Sequence, residues 1–199
     1  MAIVILVVFV AIIAISHSSA KKKKRRQALV DSFSKIPNFT VRAIRVCESK
    51  LCAIAFDESA NRLAFSELIG DDVECGISVF EANDILQVEL VEDGETVSSA
   101  SAGSAVARAV VGGILTGGIG MIIGGVTGKR NQRSSVRALD LKCLVNDAGR
   151  ATRTISFLPT KEVVTRGDMA YKAAAEDAEK WYGSVSVLIH RGKQPIAQT

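Results

Sequence analysis

The sequence predicts an α+β protein: an N-terminal transmembrane helix, an antiparallel β domain, and a C-terminal amphipathic helix. Three observations predict it. Residues 2–20 contain no Asp, Glu, Lys or Arg, and six cations, Lys21, Lys22, Lys23, Lys24, Arg25 and Arg26, follow at once. Short apolar runs separated by turn residues then recur from residue 39 to residue 158. From Ala170 the apolar spacing changes to that of a helix.

The first run has 19 residues. At about 1.5 Å per residue it reaches about 28 Å, close to the hydrocarbon thickness of about 30 Å that a spanning helix must cover. A cleaved signal peptide carries its cations before the apolar run, whereas here they come after it. Ser18-Ser19-Ala20 resembles a cleavage site, yet the six cations beyond it would oppose translocation. The segment 1–20 is therefore read as a retained single-pass anchor in the inner or plasma membrane. The positive-inside rule puts its N-terminus outside and the domain in the cytoplasm. His17 lies at the cytoplasmic interface in this reading.

Charge supports a membrane role over a nucleic-acid one. The cluster supplies +6 against a formal net charge of +4, so the rest of the chain is mildly acidic. A nucleic-acid surface spread over the domain is therefore not expected. Beside an apolar 19-mer, the cluster reads as a contact for anionic lipid. Cys47, Cys52, Cys75 and Cys143 lack the repeated short pairs of a zinc site, and no cofactor or metal is expected.

Residues 21–38 read as a basic juxtamembrane linker, with a short helical stretch from residue 27 in which Ala28, Leu29 and Phe33 share a face and Pro37 stops the helix. The domain is expected over 39–190, followed by a tail at 191–199. Strands are expected at 39–46, 51–56 and 62–68, with Asp57-Glu58-Ser59-Ala60-Asn61 as a turn and a loop at 69–77. Residues 78–91 read as one long sheet segment, closed by a tight turn at Glu92-Asp93-Gly94-Glu95. Later strands are expected at 136–145, with Leu139, Leu141 and Cys143 on one face, and at 153–158, ended by Pro159. In the tail, Ala170, Ala174, Ala178, Trp181, Val185 and Leu188 form one helical face. Asp168 is the expected N-cap, and Trp181 should anchor the helix on the sheet.

A glycine-rich insert, 99–134, interrupts the domain. Residues 109–128 are uncharged and hold eight glycines. Gly113 and Gly117 are four apart, as are Gly120, Gly124 and Gly128, the spacing that lets helix backbones approach closely. Arg108, Lys129 and Arg130 flank the run and form a second candidate lipid contact. The stretch reads as a helical hairpin touching the membrane, as a close-packed contact within the domain or with a second copy, or as a Ser/Ala/Gly-rich loop. Its apolar residues, Val110-Val111, Ile114-Leu115 and Met121-Ile122-Ile123, argue against a solvated loop. Gly125-Val126-Thr127-Gly128-Lys129-Arg130 lacks the glycine spacing and the hydroxyl of a phosphate-binding loop.

Six or seven strands followed by an amphipathic helix form the pattern of a pleckstrin-homology-like (PH-like) barrel. The run Asp84-Ile85-Leu86-Gln87-Val88-Glu89-Leu90-Val91-Glu92-Asp93-Gly94, the glycines from Gly112 to Gly128, Leu139-Asp140-Leu141 and Ile155-Ser156-Phe157-Leu158 also resemble a group of uncharacterised bacterial proteins, many of them prophage-borne. The resemblance covers residues 51–190. It implies a PH-like domain in which a β-hairpin loop is enlarged into the glycine-rich insert.

Two functions are expected from this reading. The first is a non-enzymatic, membrane-anchored binding or scaffold module, partnered by the membrane, by anionic lipid, and by a second copy or another protein. The second is a membrane-perturbing effector, of phage-exclusion or toxin-like type, acting through the glycine-rich hairpin. No nucleophile, base and acid can be assembled from the two histidines, His17 and His190, so an enzyme is not expected.

Overall fold

The computed structural model describes residues 19–70, 73–101, 135–158 and 163–193. Two four-stranded antiparallel sheets and a long C-terminal helix make up most of it. The first sheet is a meander, β1 (Ala43–Cys47), β2 (Cys52–Asp57), β3 (Arg62–Leu68) and β4 (Cys75–Glu81), in that spatial order. The second sheet contains β5 (Ile85–Glu92), β6 (Glu95–Ser101), β8 (Leu139–Val145) and β9 (Thr152–Ser156), in the order β6-β5-β8-β9. Short β7 (Ser135–Val136) pairs with β10 (Val164–Thr165). Among the described residues no ladder joins the two large sheets, so the architecture is a pair of packed sheets where a closed barrel was one expectation.

The expected long segment at 78–91 is two strands. A single 3-10 turn, Ala82–Asp84, breaks it and carries the chain from one sheet to the other. Glu81 and Asp84 form a reciprocal capping box around that turn, which satisfies donors the broken ladder would orphan. The β5–β6 hairpin closes as expected: Asp93 and Gly94 both have positive φ (49° and 87°), the backbone that a two-residue turn matching strand twist requires. The first strand starts at Ala43, later than the expected 39.

The main core lies between the sheets. It contains Ile54, Phe56, Leu63 and Phe65 from the first sheet, and Val88, Leu90, Leu141, Cys143 and Ile155 from the second. Phe65 meets Phe80 edge to face at 6.1 Å.

The C-terminal helix, Met169–Gly192, covers this core with Ala174, Ala178, Trp181, Val185 and Leu188. Ala170 is exposed, and Tyr171 takes its place on the buried face. The cause is a long-range contact: the Tyr171 hydroxyl donates to buried Glu92 at 2.6 Å, and Arg166 pairs with the same carboxylate. Asp168 occupies the N-cap position, but its side chain does not cap the helix: the carboxylate accepts from the Thr165 N–H at 2.7 Å. At the other end Gly192 touches the 3-10 turn so closely that a Cβ would lie 2.6 Å from the Ala82 carbonyl carbon.

The insert leaves at Ser101, opposite Gln87, and the chain re-enters the sheet at Leu139, opposite Glu92. β6 and β8 flank β5 on opposite sides and are parallel to one another. The insert is therefore not the loop of a hairpin between neighbouring strands. The chain leaves β6 and enters β8 at opposite ends of β5, at positions about 17 Å apart along that strand at about 3.4 Å per residue. Gly113, Gly117, Gly120, Gly124, Gly128, Arg108, Lys129 and Arg130 lie outside the described residues, as does the apolar segment 1–18. Among the described residues no helix is long and apolar enough to cross a membrane.

Candidate anion-binding cleft

Residues 19–32 are helical, so the basic cluster stands on a helix where a linker was expected. Lys, Arg, Gln, Ala and Leu all favour helix. Gln27 and Asp31 add an i, i+4 hydrogen bond of 2.7 Å. A 3-10 turn, Phe33–Lys35, ends the segment just before Pro37.

This helix lies on the outer face of the first sheet. Leu29 and Phe33 are fully buried there against Ala53, Ala55 and Ala64. Small residues on the strands let the helix approach, and the two large side chains contribute about 2 kcal/mol each. The buried Ser32 hydroxyl donates to the Leu29 carbonyl and meets the Ser66 hydroxyl, both at 2.7 Å. The Cys75 thiol donates to the Ala28 carbonyl at 3.5 Å.

The chain after the helix is fastened at the far end of the sheet. Fully buried Asp57 accepts from the N–H groups of Thr40 and Ala60 and from the Ser59 hydroxyl, and pairs with Arg62 at 3.3 Å. Burial alone would push the Asp57 carboxyl up. Ser59, the two N–H groups and Arg62 outweigh it and hold the carboxyl below its usual value.

The N-terminal end of the helix stands beside the β1–β2 turn, residues 48–51. Lys21, Lys22, Arg25, Arg26 and Leu29 line a cleft of about 270 Å³ with Glu48 and Leu51. Lys23 and Lys24 are exposed and do not line it. Glu48 pairs with Lys22 at 2.7 Å and with Arg26 at 3.3 Å. The hydrogen bond from Lys22, with help from Arg26, holds its carboxyl below the usual range. These pairs are largely exposed, and such pairs contribute only about 0–1 kcal/mol. The cleft thus carries four cations and one internal carboxylate.

Sequence reasoning placed the cations but missed Glu48, which is 22 residues from Arg26 in the chain and carries no local motif. The cleft's place beside the turn follows from how Leu29, Ser32 and Phe33 dock on the first sheet, contacts between residues far apart in the chain that no local pattern shows. Among the described residues no group of three or more His, Cys, Asp or Glu is placed to hold a metal ion.

Residues 43–159 match the family described as a glycine zipper containing PH domain. The chain is 32% identical over 152 residues to a protein of Bacillus phage SPbeta named immunity protein. It is likewise 32% identical over 152 residues to an SPbeta prophage-derived uncharacterized membrane protein, YomJ, of Bacillus subtilis strain 168. Each match takes in 73% of this chain; it covers 73% of the immunity protein and 64%, less than two thirds, of the membrane protein. No solved structure matches the chain.

Proposed function

Because this chain belongs to the family of glycine-zipper-containing PH domains, we propose that it is a non-enzymatic, membrane-anchored binding module whose domain rests on an anionic lipid surface. Residues 1–20 span the membrane in this reading, with the N-terminus outside and the domain cytoplasmic. The glycine-rich insert touches the membrane or a second copy, with Arg108, Lys129 and Arg130 at its flanks. The domain type and the names of the relatives both point away from an enzyme.

One observation carries the lipid reading. Lys21, Lys22, Arg25 and Arg26 converge on one cleft where the uncharged segment joins the domain. Basic residues held at an anionic surface contribute about 1 kcal/mol each. Four of them outweigh the single carboxylate of Glu48. The name of one relative, an uncharacterized membrane protein, supports the location.

The test uses two chains, the full one and one beginning at Ser19, which retains both clusters of buried residues. The full chain should remain with membranes through carbonate and high salt. The shorter chain should float with phosphatidylserine-containing vesicles, release in high salt, and lose binding when Lys21, Lys22, Arg25 and Arg26 become Gln. Release of the full chain by carbonate would remove the anchor. Vesicle binding indifferent to the four substitutions would remove the lipid site.

A second reading is favoured by the name immunity protein carried by the phage relative. In it the protein acts on the membrane in phage exclusion or a toxin-like system, through insertion of the segment holding Gly120, Gly124 and Gly128. Expression should then depolarise cells, and Gly124→Leu should abolish the effect; an unchanged membrane potential would end this reading.

A further inference from the structure

The turn that carries Glu48 is closed at its base by two cysteines. Cys47 ends β1 and Cys52 begins β2, and the two are partners in register, the last pair of the ladder before the turn. Directly opposed residues of an antiparallel pair have Cα atoms about 4.5–5.5 Å apart, within the span of about 4.4–6.8 Å that a disulfide bridges. Both are free thiols and both are buried. The Cys47 sulfur also lies 3.4 Å from the Ser49 hydroxyl, and the Cys52 thiol faces the Thr154 carbonyl at 3.9 Å.

The other two cysteines have different surroundings. Cys143 lies in the same buried cluster as Cys47 and Cys52 but has no thiol partner there, and desolvation pushes it up to about 12. Cys75 is engaged with the Ala28 and Val73 carbonyls. Neither has a second cysteine opposite it in register.

We propose that Cys47 and Cys52 form a reversible thiol–disulfide pair, a redox-modification site at the base of the turn that holds the basic helix. The co-reactant is a low-molecular-weight disulfide. The Cys47 thiolate attacks one of its sulfurs, forms a mixed disulfide and releases the other half as a thiolate. Cys52, giving its proton to that leaving thiolate, attacks the Cys47 sulfur and expels the second half. Counted from two thiols, the protein loses two protons and two electrons, and the small disulfide takes them up to become two thiols. In a reducing compartment the pair rests as thiols and the bridge is transient.

The assignment of roles follows the surroundings. The Cys52 thiol, opposed by burial but joined by Ser49 and by the backbone at Ser156 and Lys50, draws Cys47 down to about 5. The proton stays on Cys52, whose thiol is pushed up by its bond to Cys47 and by burial. The thiolate is the attacking species in such exchange.

The inference stands apart from the lipid reading and is tested without it. The folded full chain is incubated with glutathione disulfide, quenched by alkylation at low pH, and mapped by mass spectrometry. The expected product is a Cys47–Cys52 peptide lacking two hydrogens, restored by dithiothreitol. Cys52→Ser should accumulate glutathione on Cys47. In the untreated chain Cys47 should alkylate at least about tenfold faster than Cys143, because both are buried and rate then follows thiolate content. A folded wild-type chain that forms no bridge, or whose glutathione goes to Cys75, would overturn the proposal. So would equal alkylation of Cys47 and Cys143, a readout that needs no variant to fold.

Discussion

β2 is buried at every position from Cys52 to Asp57, whereas β8 alternates, with Leu139, Leu141, Cys143 and Val145 buried and Leu144 exposed. Both are central strands of four-stranded sheets, and both face the same core with one parity. They differ on the other face. The outer face of the first sheet is covered by the helix at 19–32, which buries Ala53, Ala55 and Ala64 under Leu29 and Phe33. The outer face of the second carries Gln87, Glu89, Lys142 and Thr152. Alternation is what one covered face produces, and a continuous apolar run is what two covered faces produce. The difference shows that the basic helix is a layer of the domain, so the cations are held in a fixed place relative to both sheets.

The largest test of this contrast places one carboxylate on each outward face. Ala55→Asp buries an unpaired charge beneath the helix and should cost more than about 4 kcal/mol. Leu144→Asp changes a solvated position and should stay within about 1 kcal/mol. Urea midpoints of the two variants read the difference, and similar values would mean that the helix does not cover the sheet.

Next is Asp57, which fastens the chain between the helix and the first sheet. Asp57→Ala orphans two backbone donors and Arg62, and should cost about 3–4 kcal/mol. Because the folded carboxyl is held below its usual value of 3.8, its stabilisation is complete above that value and fades as pH falls through the lowered one. The wild-type chain should therefore lose stability in that acid range, and the variant should show a shallower acid limb.

Phe33→Ala removes the largest helix contact and should cost about 3 kcal/mol. Its particular signature is local: amides of the helix should exchange faster while those of β5 and β8 keep their protection. Glu48→Gln should change stability by less than about 1 kcal/mol. It removes the one carboxylate among the described residues that line the cleft, so it should tighten binding to anionic vesicles by about fivefold, roughly one surface charge.

The sequence made some of this contrast legible. The apolar run Cys52-Ala53-Ile54-Ala55-Phe56 was readable as a strand, but nothing in it says what lies on its second face. The second half of the covering helix was legible in the shared face of Ala28, Leu29 and Phe33, whereas its extension back through the cations and its place on the sheet were not. The break between β4 and β5 carries no Gly or Pro; its signal is the acid pair Glu81 and Asp84 three apart, a capping box. The C-terminal helix was read with its face slightly rotated, since the contact between Tyr171 and Glu92 spans 79 residues. The spacing of Cys47 and Cys52 was visible, but their opposition depends on the ladder register.

The most direct test of the docked helix is amide hydrogen exchange on the full chain in phosphatidylserine-containing nanodiscs, resolved for residues 19–35. A helix that is part of the domain predicts protection at 26–33 comparable to that of β2 and β3, lost on Phe33→Ala. Exchange at the rate of a solvated linker would contradict it and would make the basic cluster a loose tether.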